Sequence, residues 1–384
     1  MANYKKNILE CDDLEEYLKE RSTQKWKVNH NGRTLWDAYQ EIVLNLTPIQ
    51  ENVTAGAMAE GIRGYTQKCI SEIEQIRTTG SEIERKIYDF LSSEHVIFLN
   101  DHGPQHIKKV IERASAILKS SSLDLHEFET FILLCAIQIH DIGNVLGRAG
   151  HEKKLNEIFD QKSENIIIDS PEKRVIKSIA MAHGGKARDG SKDTISKLPV
   201  NETMFDTTIR TRFLAAVLRF ADELADDSTR ANRTAMSLGI IGIDSELYHD
   251  YSTALHTVKI EKDNNNDDHR IDLVYELETS MLEKVYCVGE SKKYLLDEIY
   301  DRTLKMEQER RYCMKFMHPY IDIGRINVII NIYDASLQPL SPITYRLEDI
   351  LYPDAPQLGH IKDIDRSIPS GEEMLHLLED KEVR

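Results

Sequence analysis

Cysteine is sparse in this sequence and shows no organisation. Cys11, Cys69, Cys135, Cys287 and Cys313 are scattered over 384 residues without CxxC spacing, and their odd number excludes a complete disulfide scheme in a monomer. The expectation is a reduced, cytoplasmic chain. Long apolar runs are missing as well. The longest, such as FILLCAIQI, fall far short of a bilayer span, and the first residues, MANYKKNILECDD, lack the apolar core of a signal peptide, so a soluble, unexported protein with no membrane partner is expected. Basic charge is short: a net charge of -16 argues against a broad electrostatic hold on DNA or RNA, while leaving room for a basic pocket in one cleft. Neither a Walker A motif nor a GxGxxG loop is present. Only 10 prolines and 18 glycines accompany a hydrophobic fraction of 41%, so most of the chain is expected to fold.

A chain of this length exceeds the usual single domain, and its texture divides it in three. Residues 1–80 read as a helical extension, with LEEYLKER, LWDAYQEIVLNL and TQKCISEIEQIR as helices and TPIQENVTAG as a connection. They carry no chemical constellation, which suits packing or oligomer formation. Residues 81–236 read as helical almost throughout: QHIKKVIERASAIL places Ile107, Val110, Ile111, Ala114, Ile117 and Leu118 at helical spacing, and FETFILLCAIQIHD, EKRVIKSIAMAH and IRTRFLAAVLRFADELAD are further buried helices. From 237 the texture changes. ALHTVKIE and RIDLVYELE flank the polar turn KDNNNDD as a hairpin, a long helix follows in SKKYLLDEIYDRTLKMEQERRYCMKFM, and RINVIINIYD is another strand, giving a small α+β carboxy-terminal domain with an irregular tail from about Leu351.

One juxtaposition asks for a physical explanation. His140 and Asp141 end one of the most apolar runs, and burying such groups costs several kcal/mol unless they are paired or bound to a metal. Three other polar clusters sit in or beside apolar helices: DHGPQH with His106, AHGG with His183, and RFADELAD with Asp222 and Asp226. A bundle that converges its helix ends brings such clusters together. Imidazole and carboxylate are the usual ligands of Mn, Fe, Co, Ni and Zn, and a mixed set with open positions activates water by lowering its pKa to about 7. A buried salt-bridge network is the competing reading. His106, in order with the other three, decides for the metal.

The order His, His-Asp, distant Asp resembles the HD-domain superfamily of metal-dependent phosphohydrolases over residues 95–236, with His106, His140, Asp141 and Asp222 matching its four-ligand signature. The resemblance implies a mainly α fold: an HD-type helical bundle, here with a helical amino-terminal extension and the small α+β carboxy-terminal domain. His151 and His183 resemble the added ligands of two-metal members, including the HD-GYP cyclic dinucleotide phosphodiesterases, which would let Asp141 bridge two ions. AHGG has one histidine where that group has two, and no GYP follows, so HD-GYP activity itself is not expected. NDHGPQHIKKV is similar to HD domains that sit beside chaperone-type ATPase domains, although no ATPase motif is present.

The activity implied is hydrolysis of a phosphoester or phosphoanhydride in a nucleotide or nucleotide-derived signal, with one or two divalent transition ions such as manganese. Asp141 and Asp222 are the catalytic carboxylates. Lys109 and Arg113, three and seven residues beyond His106 on its helical face, join them. Arg230 and Arg233 resemble phosphate-contacting arginines of two-metal relatives, against a reading as solvated rim charges, and Lys186 and Arg188 are weaker phosphate candidates. His102 reads as a capping residue or a support for the ligands. Two rivals remain: a single-strand nuclease like the HD domains of CRISPR helicase-nucleases, disfavoured by the acidic balance, and a non-catalytic regulatory module whose carboxy-terminal domain senses a partner protein or ligand.

Overall fold

The computed structural model describes residues 7–22, 33–50, 103–121, 123–146, 150–162, 169–187, 189–231, 236, 241, 243–262, 269–288, 291–349 and 358–382. The expected helix TQKCISEIEQIR, residues 263–268 of the turn KDNNNDD, and His102, Arg188 and Arg233 lie outside these residues.

At the amino terminus, α1 (Leu14–Arg21) and α2 (residues 35–50) flank the bundle. The second helix runs through Thr47–Gln50, where the sequence suggests a connection. The Thr47 hydroxyl donates to the Val43 carbonyl, and the buried Gln50 amide donates to the carbonyl and side chain of Gln138 at 2.8 Å each. Gln138 in turn donates to the Tyr39 hydroxyl, which donates to Glu15, so a polar chain fastens this extension to the core.

The bundle comprises α3 (Pro104–Lys119), α4 (Glu127–Ile139), α5 (His151–Lys162), α6 (Ser170–Met181) and α7 (Thr211–Glu223). Proline at the first position of α3 suits a site with no hydrogen bond to lose. In α4 every residue is buried, as its apolar run requires, and α3 buries the six apolar positions expected from its spacing. Between α6 and α7 the short hairpin β1 (Glu202–Met204) and β2 (Thr207–Ile209) turns through Phe205 and Asp206, both at positive φ.

Beyond the bundle lie α8 (Ile243–Ala254), β3 (Leu255–Lys262), β4 (His269–Glu278), α9 (Thr279–Glu283), the hairpin β5 (Val285–Val288) and β6 (Ser291–Tyr294), α10 (Leu295–Met317), β7 (Ile323–Tyr333), β8 (Ile343–Glu348) and α11 (Gly371–Glu382). The sheet order is β3-β4-β7-β8. Strands β3 and β4 are antiparallel, as the two expected strands require, whereas β7 lies parallel to β4 and so needs the crossover that α10 supplies. Alternate residues of β4, Ile271, Leu273, Tyr275 and Leu277, are buried. Two expectations are corrected here. Residues 291–294 are strand and not helix, because they pair with β5. The tail is not wholly irregular: Ser370 and Glu373 form a reciprocal cap that starts α11, and Met374 and Leu378 bury its apolar side.

Buried apolar side chains from the extension, the bundle and the sheet region belong to one contiguous cluster. Helix α10 lies along α7, so the carboxy-terminal part touches the element that carries Asp222. Among the described residues no helix is long and apolar enough to cross a membrane.

Candidate metal centre

Five helix ends meet at one point. His106 stands in the first turn of α3 and His151 opens α5; His140 and Asp141 follow α4, His183 follows α6, and Asp222 lies in the last turn of α7. Three of these are carboxyl ends, whose partial negative charge favours a cation.

Asp141 organises the cluster. Its Oδ2 lies 3.5 Å from His106 Nε2 and 3.4 Å from His140 Nε2, and Asp222 Oδ1 completes that side at 3.1 Å from His106 and 3.6 Å from His140. Its Oδ1 faces the other way, 3.1 Å from His151 Nε2 and 3.7 Å from His183 Nε2. The six side chains thus form two candidate ligand sets that share Asp141. Ligand atoms bonded at about 2.1 Å around one ion at angles of 90–109° sit about 3.0–3.4 Å apart, close to the spacing here. Several of these contacts are too long for hydrogen bonds. His140 Nε2, wholly buried, makes none.

The imidazoles are held in a fixed orientation. His140 Nδ1 lies 2.8 Å from the Ile137 carbonyl and His183 Nδ1 2.6 Å from the Ala180 carbonyl. A carbonyl only accepts, so Nδ1 carries a proton and, in the neutral ring, Nε2 presents its lone pair. Burial alone would lower the His140 pKa, but the Asp141 and Asp222 carboxylates outweigh it and hold the group up at about 9. Burial and the neighbouring His140 charge lower His183 to about 4. Burial would raise Asp222, yet the adjacent His106 and His140 rings outweigh it and hold the carboxyl well below the usual carboxylate range.

Two glycines permit the close approach. A Cβ on Gly143 would run into the backbone of His151 and Leu155, so only glycine lets the HDIG turn seat α5 and aim His151. Gly185, at φ +71°, lies against the Glu152 side chain and could not carry a Cβ there.

The centre floors a cleft of about 290 Å³ lined by Asp141, His151, His183 and Asp222 and walled by charged side chains. Arg230 lines it, with its guanidinium 3.8 Å from Asp226. Lys109 and Arg113 are not among the residues that line it: Lys109 sits at Glu112 and Asp227, and Arg113 donates to the carbonyls of Leu224 and Val258, so both fasten the turn after α7. Lys186 is exposed and also off the cleft wall.

The sequence reading missed Asn144, Lys192, Arg219, Arg302, Lys305 and Glu309, all on the wall. Most belong to a ladder between α7 and α10: Arg219 to Glu309 through two bonds of 2.7 and 2.8 Å, Glu223 to Lys305 at 2.7 Å, and Asp226 to Arg302 at 3.9 Å. Steps of four and three residues, from Arg219 through Glu223 in α7 to Asp226 just past its end, match the same steps backward along α10, as antiparallel packing requires. Only the spacing was visible beforehand, since RTLKMEQE reads equally well as a solvated face.

The sequence pattern of the family described as HD-CE matches residues 95–305, more than half of the chain. This chain belongs to the HD-CE family. The HD-CE match confirms the HD-type domain inferred from the ordered histidines and aspartates. It also extends past residue 236 to include most of α10's first half, and so covers Arg302 and Lys305 of the ladder. No curated protein and no solved structure matches the chain.

Proposed function

We propose that this HD-CE protein is a metal-dependent hydrolase of phosphate esters or anhydrides, acting on a small nucleotide or nucleotide-derived substrate. The observation that carries the proposal is Asp141, whose two oxygens face two separate ligand sets at the floor of a cation-lined cleft. His106, His140, Asp222 and Asp141 Oδ2 would hold one divalent ion, and Asp141 Oδ1, His151 and His183 a second, drawn from Mn, Fe, Co, Ni and Zn. Bound there, such ions would supply an acidified water and positive charge to offset the negative charge developing on a phosphoryl group.

The chain's own groups do the rest. The backbone carbonyls of Ile137 and Ala180 fix the imidazoles. Asp222 keeps part of its carboxylate open to the cleft, where it can accept a hydrogen bond from water and orient it. Arg230 reaches the same cleft and is placed to hold a phosphate. Acidic residues stand within ion-pair reach of Arg219, Arg230, Arg302 and Lys305, so the wall is a poor electrostatic track for a polymer and suits a compact anion.

The test is a panel of linear and cyclic nucleotides and single-stranded oligonucleotides incubated with the purified chain and each metal. Faster turnover of the small substrates supports the proposal. Processive strand cleavage with no turnover of small nucleotides, and binding lost steeply with salt, would replace it with the nuclease reading.

A further inference from the structure

The charges on the cleft wall are unequally committed. Arg219 is nearly buried, gripped twice by Glu309, stacked over the Tyr312 ring, and donates to the Lys192 carbonyl and the Thr194 hydroxyl. It is a fastener. Arg302 is held by Glu298 and lies over the Tyr248 and Tyr251 rings. Lys305 is about half exposed, with Glu223 as its single ion-pair partner among the described residues. Lys192 is exposed and, among the described residues, makes no ion pair. Its backbone is nevertheless fixed through Arg219 to Glu309, one turn along α10 from Lys305. Two exposed lysines, Lys192 and the Glu223-paired Lys305, therefore line one braced wall of the cleft whose floor holds Asp141.

We propose that Lys192 and Lys305 form a second anion subsite, so that the substrate carries at least two phosphates, one over Asp141 and another against the α7–α10 wall. The chemistry fits a nucleoside diphosphate or triphosphate, or a dinucleotide joined through several phosphates, better than a nucleoside monophosphate. Point charges on flexible stems suit a phosphate whose position shifts between substrates. This assignment rests on the reading of the cleft as a phosphate site.

The test is calorimetric binding to the full manganese-loaded chain of methylenediphosphonate, whose bridging carbon resists hydrolysis, against methylphosphonate. Metal content is measured before and after. The diphosphonate is expected to bind about tenfold or more tightly. Lys192→Met and Lys305→Met should each shrink that preference several-fold, Lys305→Arg should restore most of it, and Lys197→Met, a surface lysine paired with Asp189, should keep it. Equal binding of the two probes, or a preference that survives in both methionine variants, overturns the subsite. If the preference depends on the lysines while no nucleotide is turned over, the subsite stands and the hydrolase reading falls. Turnover with a lysine-independent preference has the opposite meaning.

Discussion

His140 and His183 occupy one cluster but have opposite proton affinities. In the ion-free protein at neutral pH, His140 at about 9 is an imidazolium and His183 at about 4 is neutral. A metal must displace the His140 proton, so metal affinity should rise with pH up to about 9, with proton release seen as a buffer-dependent heat in calorimetry. Stability of the ion-free chain runs the other way. The His140 contribution is fully present below the unfolded value of about 6.5 and is lost as pH rises through 9; the His183 contribution is present above about 6.5 and is lost as pH falls towards 4. Denaturant midpoints across pH 5–9 without metal check both signs. His183→Ala should leave the ion held by His106, His140 and Asp222 while removing the other, read as a halved metal stoichiometry. The candidate ligands were legible in sequence because imidazole and carboxylate beside apolar runs have few other uses. The contacts of Lys109 and Arg113 were not legible, because periodicity identifies a helical face and does not say whether a cleft or Asp227 meets it.

Among the elements, the turn from α4 into α5 depends on Gly143. Gly143→Ala should push α5 outward, destabilise the fold by about 1–3 kcal/mol through overpacking, and weaken metal binding at His151 more than at His106. Thermal unfolding and metal stoichiometry together check this. The ladder between α7 and α10 makes a separate demand. Glu309→Ala strands the nearly buried Arg219 charge, with an expected loss of about 3 kcal/mol, whereas Arg219→Met together with Glu309→Leu should recover much of it. Helix starts with strong local signals were readable, α1 and α3 above all. The hairpin β1–β2 was not, since its turn uses Phe205 and Asp206 at positive φ and not the usual Asn-Gly, and the S-x-x-E cap of α11 was overlooked among tail prolines.

At the scale of the whole molecule, the site is a joint product of the bundle and the carboxy-terminal region. Among the described residues one apolar cluster includes side chains from both sides of residue 236, where sequence texture changes; the family match runs to 305, and α10 supplies part of the cleft wall. Contacts between distant segments leave no local trace, which is why the candidate ligands and Arg230 could be read from the sequence and most of the wall could not. Metal binding should raise the melting temperature of the entire unit, α10 included, because an ion that binds only the folded form stabilises whatever unfolds with it. The most direct measurement of the central claim is the metal content of the chain reconstituted with manganese, compared with Asp141→Ala. The shared carboxylate has no substitute, so wild type should carry about two ions per chain and the variant close to none while keeping its helical spectrum. Retention of both ions by a folded Asp141→Ala protein would contradict the account.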